Sequence, residues 1–163
     1  MIAAAQVIFC NQSGEACLDW LALELERGGV SSSPTEWRGY EVVVPQLLIS
    51  TAPVPLTVQV DADPSYVPDE IAELAEEAKS ILPVDLHEML ARCDARLDIM
   101  STTPPRTAET ESAITVFAQS DLDPAQPDVE RVLLLLSVIT GGFLIDCING
   151  RLRVPGGIEW IRL

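Results

Sequence analysis

The strongest structural signal in the chain is an apolar helix near its end. Within residues 128–140, Val129, Val132, Leu133 and Leu136 recur at helical spacing. Leu134, Leu135 and Val138 fall outside that stripe, so the helix is apolar nearly all round. A helix of that kind is covered on more than one side. The fold must therefore supply several elements that pack around it.

A hairpin signal follows this helix directly. The next two residues are glycines, which end the helix because glycine takes the left-handed cap conformation without steric cost. A strand predicted over residues 143–148 then runs into Asn149-Gly150, and Asn-Gly is the strongest two-residue hairpin signal. Residues 151–154 should therefore pair antiparallel with that strand.

The remaining segments alternate strand and helix patterns. Pro45 interrupts a β-branched run, and we expect a bulge or an edge position there because proline cannot donate to a ladder. Helices are predicted over residues 14–27, from Pro68 to a break at Pro83, and in a short segment with Leu86 and Cys93 on one face. Further strands are predicted over residues 3–9, 40–49, 56–60, 97–101 and 114–118.

The order of these elements predicts an α+β fold. Strands and helices mixed with hairpins favour a mostly antiparallel mixed sheet with helices packed on one face. The β-α-β-β run over residues 114–154 is typical of a split βαβ unit, which predicts a ferredoxin-like C-terminal half. The chain has the size of one domain, residues 1–163, with possible sub-units 1–101 and 113–163 joined by loop 102–112.

The charge balance excludes several classes of partner. The chain carries 25 acidic and 10 basic residues, which gives a net charge of −15. Nucleic acids and anionic membrane surfaces favour clustered Lys and Arg, so we expect neither as a partner. The apolar start has no basic side chain before Asn11, and no run approaches the ~20 apolar residues of a membrane span. We therefore expect a cytoplasmic protein.

The residues that commonly carry catalysis are sparse. His87 is the only histidine, and no second histidine stands four residues further on, as a zinc-binding helix would need. Two Asp-x-Asp pairs, at Asp61 and at Asp121, can direct both carboxylates to one side of an extended strand, but neither completes a calcium loop. We therefore expect no enzyme activity, no metal and no cofactor. A small carboxylate- or metal-dependent enzyme is the alternative.

Acidic residues are densest between residues 61 and 77. On the helix that begins at Pro68, Glu70, Glu73 and Glu77 fall on one exposed stripe. This stripe is either a solvated face or a docking surface for a basic partner, because opposite charge accelerates encounter and rejects wrong partners. The candidate partner-binding residues, with a neighbouring loop that could extend the surface, are Asp61, Asp63, Asp69, Glu70, Glu73, Glu77, Asp121 and Asp123.

The C-terminal part of the chain resembles a block found in bacterial immunity proteins. The block consists of Val116-Phe117-Ala118-Gln119-Ser120, the helix and its two glycines over residues 129–142, and Phe143-Leu144-Ile145-Asp146. A small acidic α+β chain with this strand–helix–Gly-Gly–strand unit is similar to the immunity proteins of type VI secretion and contact-dependent inhibition systems.

The resemblance implies that the chain binds and inhibits a cognate toxin or effector in the cytoplasm. The acidic residues would then face a basic active-site surface on that toxin. A further alternative is an effector adaptor or secretion chaperone, which would bind the effector without inhibiting it. The resemblance leaves the oligomeric state open.

Overall fold

The computed structural model of the chain describes residues 6–11, 17–39, 41–50, 55–101 and 124–163. The helices in this part are α1 (Cys17–Arg27), α2 (Val67–Ala78), α3 (Val84–Ala91) and α4 (Pro127–Thr140). The strands are β1 (Gln6–Cys10), β2 (Ser32–Arg38), β3 (Val43–Ile49), β4 (Leu56–Asp61), β5 (Ala95–Ser101), β6 (Phe143–Asp146), β7 (Arg151–Arg153) and β8 (Ile161–Arg162).

In the described part of the chain, eight strands form one sheet in the order β2-β3-β4-β5-β1-β6-β7-β8. Every neighbouring pair is antiparallel, so the predicted α+β class with a largely antiparallel sheet is confirmed, and the described sheet is not mixed. β1 lies between β5 and β6, and all five of its residues are buried. Such a strand needs cover on both faces.

Helices cover both faces of the sheet, so the prediction of helices on one face is wrong. Ile8 of β1 lies in one apolar cluster with Leu136 and other buried residues of α1 and α4. Phe9, the next residue, lies in a second cluster with Leu74 and other buried residues of α2 and α3. The reason is the unbroken apolar run of β1, whose alternate side chains point to opposite faces. We call these sides the α1/α4 face and the α2/α3 face.

The predicted apolar helix forms as α4. Val129, Leu133 and Leu136 are buried, and the sheet and α1 cover the helix on two sides. The side chain of Gln126 caps its start by accepting a hydrogen bond from Val129 N at 2.9 Å. Gly141 ends it in the left-handed conformation, with φ of 61°, as its glycine pair predicts.

The predicted C-terminal hairpin is also confirmed. β6 and β7 pair antiparallel, with Asp146 opposite Arg151 at the turn. Four residues connect the paired ends, so the turn is longer than the two-residue turn that Asn149-Gly150 commonly forms. Gly150 occupies the left-handed region at φ of 60°.

Two strands, β2 and β8, were not predicted from the sequence. β2 contains serines and Pro34, which are typical of loops, but it lies at the sheet edge where the missing N–H of proline is tolerated. β8 has only two residues. Pro45 lies where β3 pairs with β2 alone, because β3 meets β4 only over Leu47–Ile49. The predicted edge position of Pro45 is therefore confirmed.

Several predictions fall outside the described residues. The strand over residues 114–118, the loop 102–112, and with them the ferredoxin-like half, stay predictions. Strands from both sides of that loop share one sheet, since β6 pairs with β1. In the ranges that the structure describes, no helix has the length and apolar character to cross a bilayer.

Candidate protein-docking site on helix α2

Helix α2 is held to the α2/α3 face by one apolar stripe. Val67, Ile71, Leu74 and Ala78 are buried in the second apolar cluster. The helix begins at Val67-Pro68, where proline is tolerated because the first N–H groups of a helix have no intrahelical partner. Two acidic residues in the first turn suit the positive end of the helix dipole. The side of α2 opposite the stripe faces solvent.

Three of the predicted partner-binding residues lie on that solvent side. Asp69, Glu73 and Glu77 are exposed. Within the described residues, none of the three forms an ion pair or a side-chain hydrogen bond. Their charge is therefore uncompensated by this part of the chain. We call these three residues the α2 acidic face.

Glu70 turns toward the sheet and does not join the α2 acidic face. Its Oε2 accepts a hydrogen bond from Arg96 Nη1. Arg96 lies on β5, where its Nε contacts Asp98 Oδ1 at 2.7 Å and its Nη2 contacts Asp61 Oδ2 at 3.4 Å. One guanidinium thus binds three carboxylates, and we call these four residues the Arg96 network.

The Arg96 network is largely shielded from water. The side chains of Arg96 and Asp98 are 17% and 13% exposed. Burial raises the pKa of Asp98, and the charge of Arg96 offsets this only in part. Burial alone would lower the pKa of Arg96, but Asp98 and Glu70 outweigh it, and the pKa is raised. The guanidinium stays charged, and three carboxylates around one cation leave the network net negative.

Asp61 and Asp63, predicted as a pair, have different surroundings at the turn into α2. The hydroxyl of Tyr66 donates to Asp61 Oδ2, and burial together with this bond raises the pKa of Tyr66 to about 12. Asp63 remains exposed and accepts hydrogen bonds from Ser65 N at 2.8 Å and Ser65 Oγ at 2.7 Å, which lower its pKa. Asp61 therefore belongs to the Arg96 network, and Asp63 adds to the exposed charge.

The other candidate residues from the sequence are not part of this site in the described structure. Asp121 and Asp123 lie outside the described residues. His87 contacts Ala75 O through Nε2 at 2.9 Å and so joins α3 to α2. Among the described residues, no three His, Cys, Asp or Glu side chains are grouped so that they could hold a metal ion.

Arg96 and Asp98 were not among the residues predicted from the sequence. The predicted strand begins at Leu97, whereas β5 begins at Ala95. The pattern held a usable signal, because Arg96 and Asp98 alternate with Ala95, Leu97 and Ile99, which are fully buried. Two opposite charges on one face of an otherwise apolar strand require partners from neighbouring elements.

No protein-family model matches the chain, and no curated protein or solved structure matches it significantly. What the site can do therefore follows from its arrangement. The apolar stripe and the Arg96 network fix α2 on the sheet, and the α2 acidic face projects from that fixed helix. Such a surface attracts and orients a positively charged protein.

Proposed function

We propose that this chain is a binding protein that neutralises a cognate bacterial toxin or effector by direct complex formation through the α2 acidic face. The observation that carries the proposal is that Asp69, Glu73 and Glu77 are exposed and have no cation of their own in the described residues. Their charge can be compensated by a basic partner. Asp63 lies at the start of the same helix and extends this surface.

The way in which α2 is fixed supports a docking role. Arg96 binds Glu70 in the first turn of the helix, and buried Ile71 and Leu74 hold its middle. A surface fixed in this way loses little conformational entropy when a partner binds, so more of the interaction energy contributes to affinity. The same surface would accelerate association with a basic partner at low salt.

A toxin that acts on nucleic acid or another anionic target needs basic residues in its active site. An acidic helix that covers those residues would keep the substrate out, and the charges that bind the substrate would bind the helix. The proposed partner is therefore a toxin or effector protein with a basic active-site surface, and the proposed mechanism of neutralisation is occlusion of that site.

The test is coexpression of this chain with the product of the gene adjacent to its own. The wild-type chain should restore growth to cells that produce the toxin and should copurify with it. Asp69→Lys/Glu77→Lys should slow association at low salt about tenfold or more, because charges at the rim of an interface act mainly on the association rate. The same variant should also reduce the salt dependence of that rate.

Helix α1 offers a matched control. Asp19 in its first turn and Glu26 in its last turn are both exposed, as Asp69 and Glu77 are in α2. Asp19→Lys/Glu26→Lys changes the net charge equally and should leave the association rate close to that of the wild type. Equal slowing by both variants would assign the effect to net charge, and no slowing by either would remove the α2 acidic face from the interface.

The same experiment separates the alternatives. An adaptor or secretion chaperone would form the complex and leave the toxin active in a purified assay. A metal-dependent enzyme would form no such complex, and Mg²⁺ would raise its melting temperature.

A further inference from the structure

β2 leaves a long strand edge open. In the described part of the chain it is the first strand of the sheet and pairs over Ser32–Arg38 with β3 alone. No strand among the described residues lies on its outer side. The opposite edge strand, β8, has only two residues. An open edge of seven residues is a template for pairing with another chain.

The backbone groups on this edge belong to alternate residues. Gly39 N donates to Val42 O at 2.9 Å and closes the β2–β3 ladder, and hydrogen-bonded pairs alternate from that point. The residues whose backbone groups point outward are therefore Ser32, Pro34, Glu36 and Arg38. Pro34 suits this side, because no ladder bond to β3 is lost there.

We propose that two copies of this chain pair antiparallel over residues 36–38 at the end of β2, with Trp37 of each copy at the two-fold axis. In this register Glu36 of one copy lies opposite Arg38 of the other, and symmetry repeats the pair. Both residues point their backbone groups outward, so each pair can exchange two hydrogen bonds. Within one copy Arg38 Nη2 donates to Glu36 Oε2 at 2.9 Å. Both side chains are exposed, at 75% and 50%, and can exchange this pair for the same pair across the axis.

The other symmetric registers are less favourable. A register centred on Glu36 places the two Glu36 side chains directly opposite each other, and like charges in that position are destabilising. A register centred on Thr35 places Pro34 opposite Glu36, and proline has no N–H to donate. The edge of β2 is therefore self-complementary about Trp37.

Apolar surface lies beside the proposed axis. The indole of Trp37 covers Gly39 so closely that a Cβ added there would overlap its Cη2. In the proposed register the two Trp37 residues form a non-hydrogen-bonded pair, the position in which opposed side chains approach most closely. Val42, 52% exposed, lies opposite Gly39 at the end of the same hairpin.

Charge also favours this hairpin as the contact between two copies. Residues 32–49 contain two glutamates and one arginine, a net charge of −1 in a chain of −15. Two copies that approach through this hairpin therefore keep most of their negative charge apart. Salt screens the repulsion that remains, so self-association should strengthen from low to moderate salt. Higher salt should instead slow association with the proposed toxin, because that complex depends on attraction between opposite charges.

The test is sedimentation velocity of the full chain over a wide range of concentrations. The wild type should show a monomer–dimer equilibrium. Glu36→Arg and Arg38→Glu each place like charges opposite each other twice, so each should weaken the dimer roughly tenfold. An equal mixture of the two variants should recover pairing, because the arginines of one copy then face the glutamates of the other. The double variant Glu36→Arg/Arg38→Glu should self-associate as the wild type does.

Glu26→Arg is the matched control, since it makes the same change of charge on an exposed position of α1. It should leave the dimer intact, and unchanged melting temperatures should show that every variant is folded. A wild type that stays monomeric at every concentration would overturn the proposal. So would a dimer that survives both single reversals, or a mixture that associates no better than its components.

Discussion

Each face of the sheet holds an aspartate that is largely shielded from water, and the two aspartates have very different partners. Asp146, on the α1/α4 face, has a side chain with 0% exposure. It accepts hydrogen bonds at 2.8 Å from Arg151 Nε and Asn149 Nδ2, and longer ones from two backbone amides. Asp98, on the α2/α3 face, is 13% exposed and depends on Arg96, which it shares with two other carboxylates.

The pKa values of the two carboxylates move in opposite directions. Burial alone would raise the pKa of Asp146, but the hydrogen bonds from Asn149 and Arg151 outweigh it, and the pKa is lowered. Burial raises the pKa of Asp98, because one shared guanidinium does not compensate it fully. The number of donors, more than the depth of burial, decides whether a buried carboxylate stabilises the fold. The α2/α3 face of the sheet therefore carries excess negative charge, and the α2 acidic face lies on that same side of the molecule.

The largest expected effects on stability come from the apolar packing of the two faces. Leu136 of α4 is 0% exposed and Leu74 of α2 is 8% exposed. We expect Leu136→Ala to lower the free energy of unfolding by about 4 kcal/mol and Leu74→Ala by about 3 kcal/mol. Val138→Ala, at a position of α4 that is 59% exposed, should change it by less than about 0.5 kcal/mol. Urea denaturation followed by circular dichroism measures all three, and a larger cost at Leu74 would reverse the comparison.

The next effect concerns the shared cation of the α2/α3 face. Arg96→Met leaves Asp98 buried without its cation and should lower the free energy of unfolding by about 3 kcal/mol. Adding Asp98→Asn to that variant should recover part of the loss, because the uncompensated charge is removed. Arg27 also pairs with a glutamate, but its side chain is 76% exposed, so Arg27→Met should cost at most about 1 kcal/mol. If both substitutions lower the free energy of unfolding equally, the Arg96 network is too solvated to contribute more than an exposed ion pair.

Local patterns in the sequence were sufficient to predict several elements. The period of α2 and of α4, the glycine pair that ends α4 and the hairpin signal at Asn149-Gly150 all act within a few residues. The edge position of Pro45 could also be predicted, because a missing N–H limits pairing wherever the strand lies. The exposure of Glu73 and Glu77 follows from the same helical period.

The features that escaped prediction depend on long-range topology. β1 pairs with β5 and β6, and this placement in the centre of the sheet requires helices on both faces. Arg96 binds Asp61 and Glu70, whose sequence separations of 35 and 26 residues no local pattern spans. β2 forms although serines and Pro34 disfavour a strand, because an edge position tolerates them. Charged residues inside an apolar strand are the one local sign that such partners exist.

The smallest expected effect is in the pH dependence of the free energy of unfolding. Each of the two aspartates can change the number of bound protons by at most one when the chain unfolds, so each slope is small. An unfolded aspartate has a pKa of about 3.9. The folded pKa of Asp98 is higher, so the folded state binds more protons, and stability falls as pH rises from about 4 through that pKa. The folded pKa of Asp146 is lower, so its contribution is present above about pH 4 and is lost as pH falls through that pKa.

Asp98→Asn and Asp146→Asn should therefore show opposite trends when each is compared with the wild type. As pH rises from about 3 to about 7, the stability of Asp98→Asn relative to the wild type should improve, because the variant lacks the carboxylate that burial penalises. The relative stability of Asp146→Asn should worsen over the same range, because the variant lacks the carboxylate that its donors stabilise. Urea denaturation at several pH values measures both slopes. Slopes of the same sign would show that folding shifts the pKa values of both aspartates in the same direction. The excess negative charge of the α2/α3 face would then have no measurable effect on the free energy of unfolding.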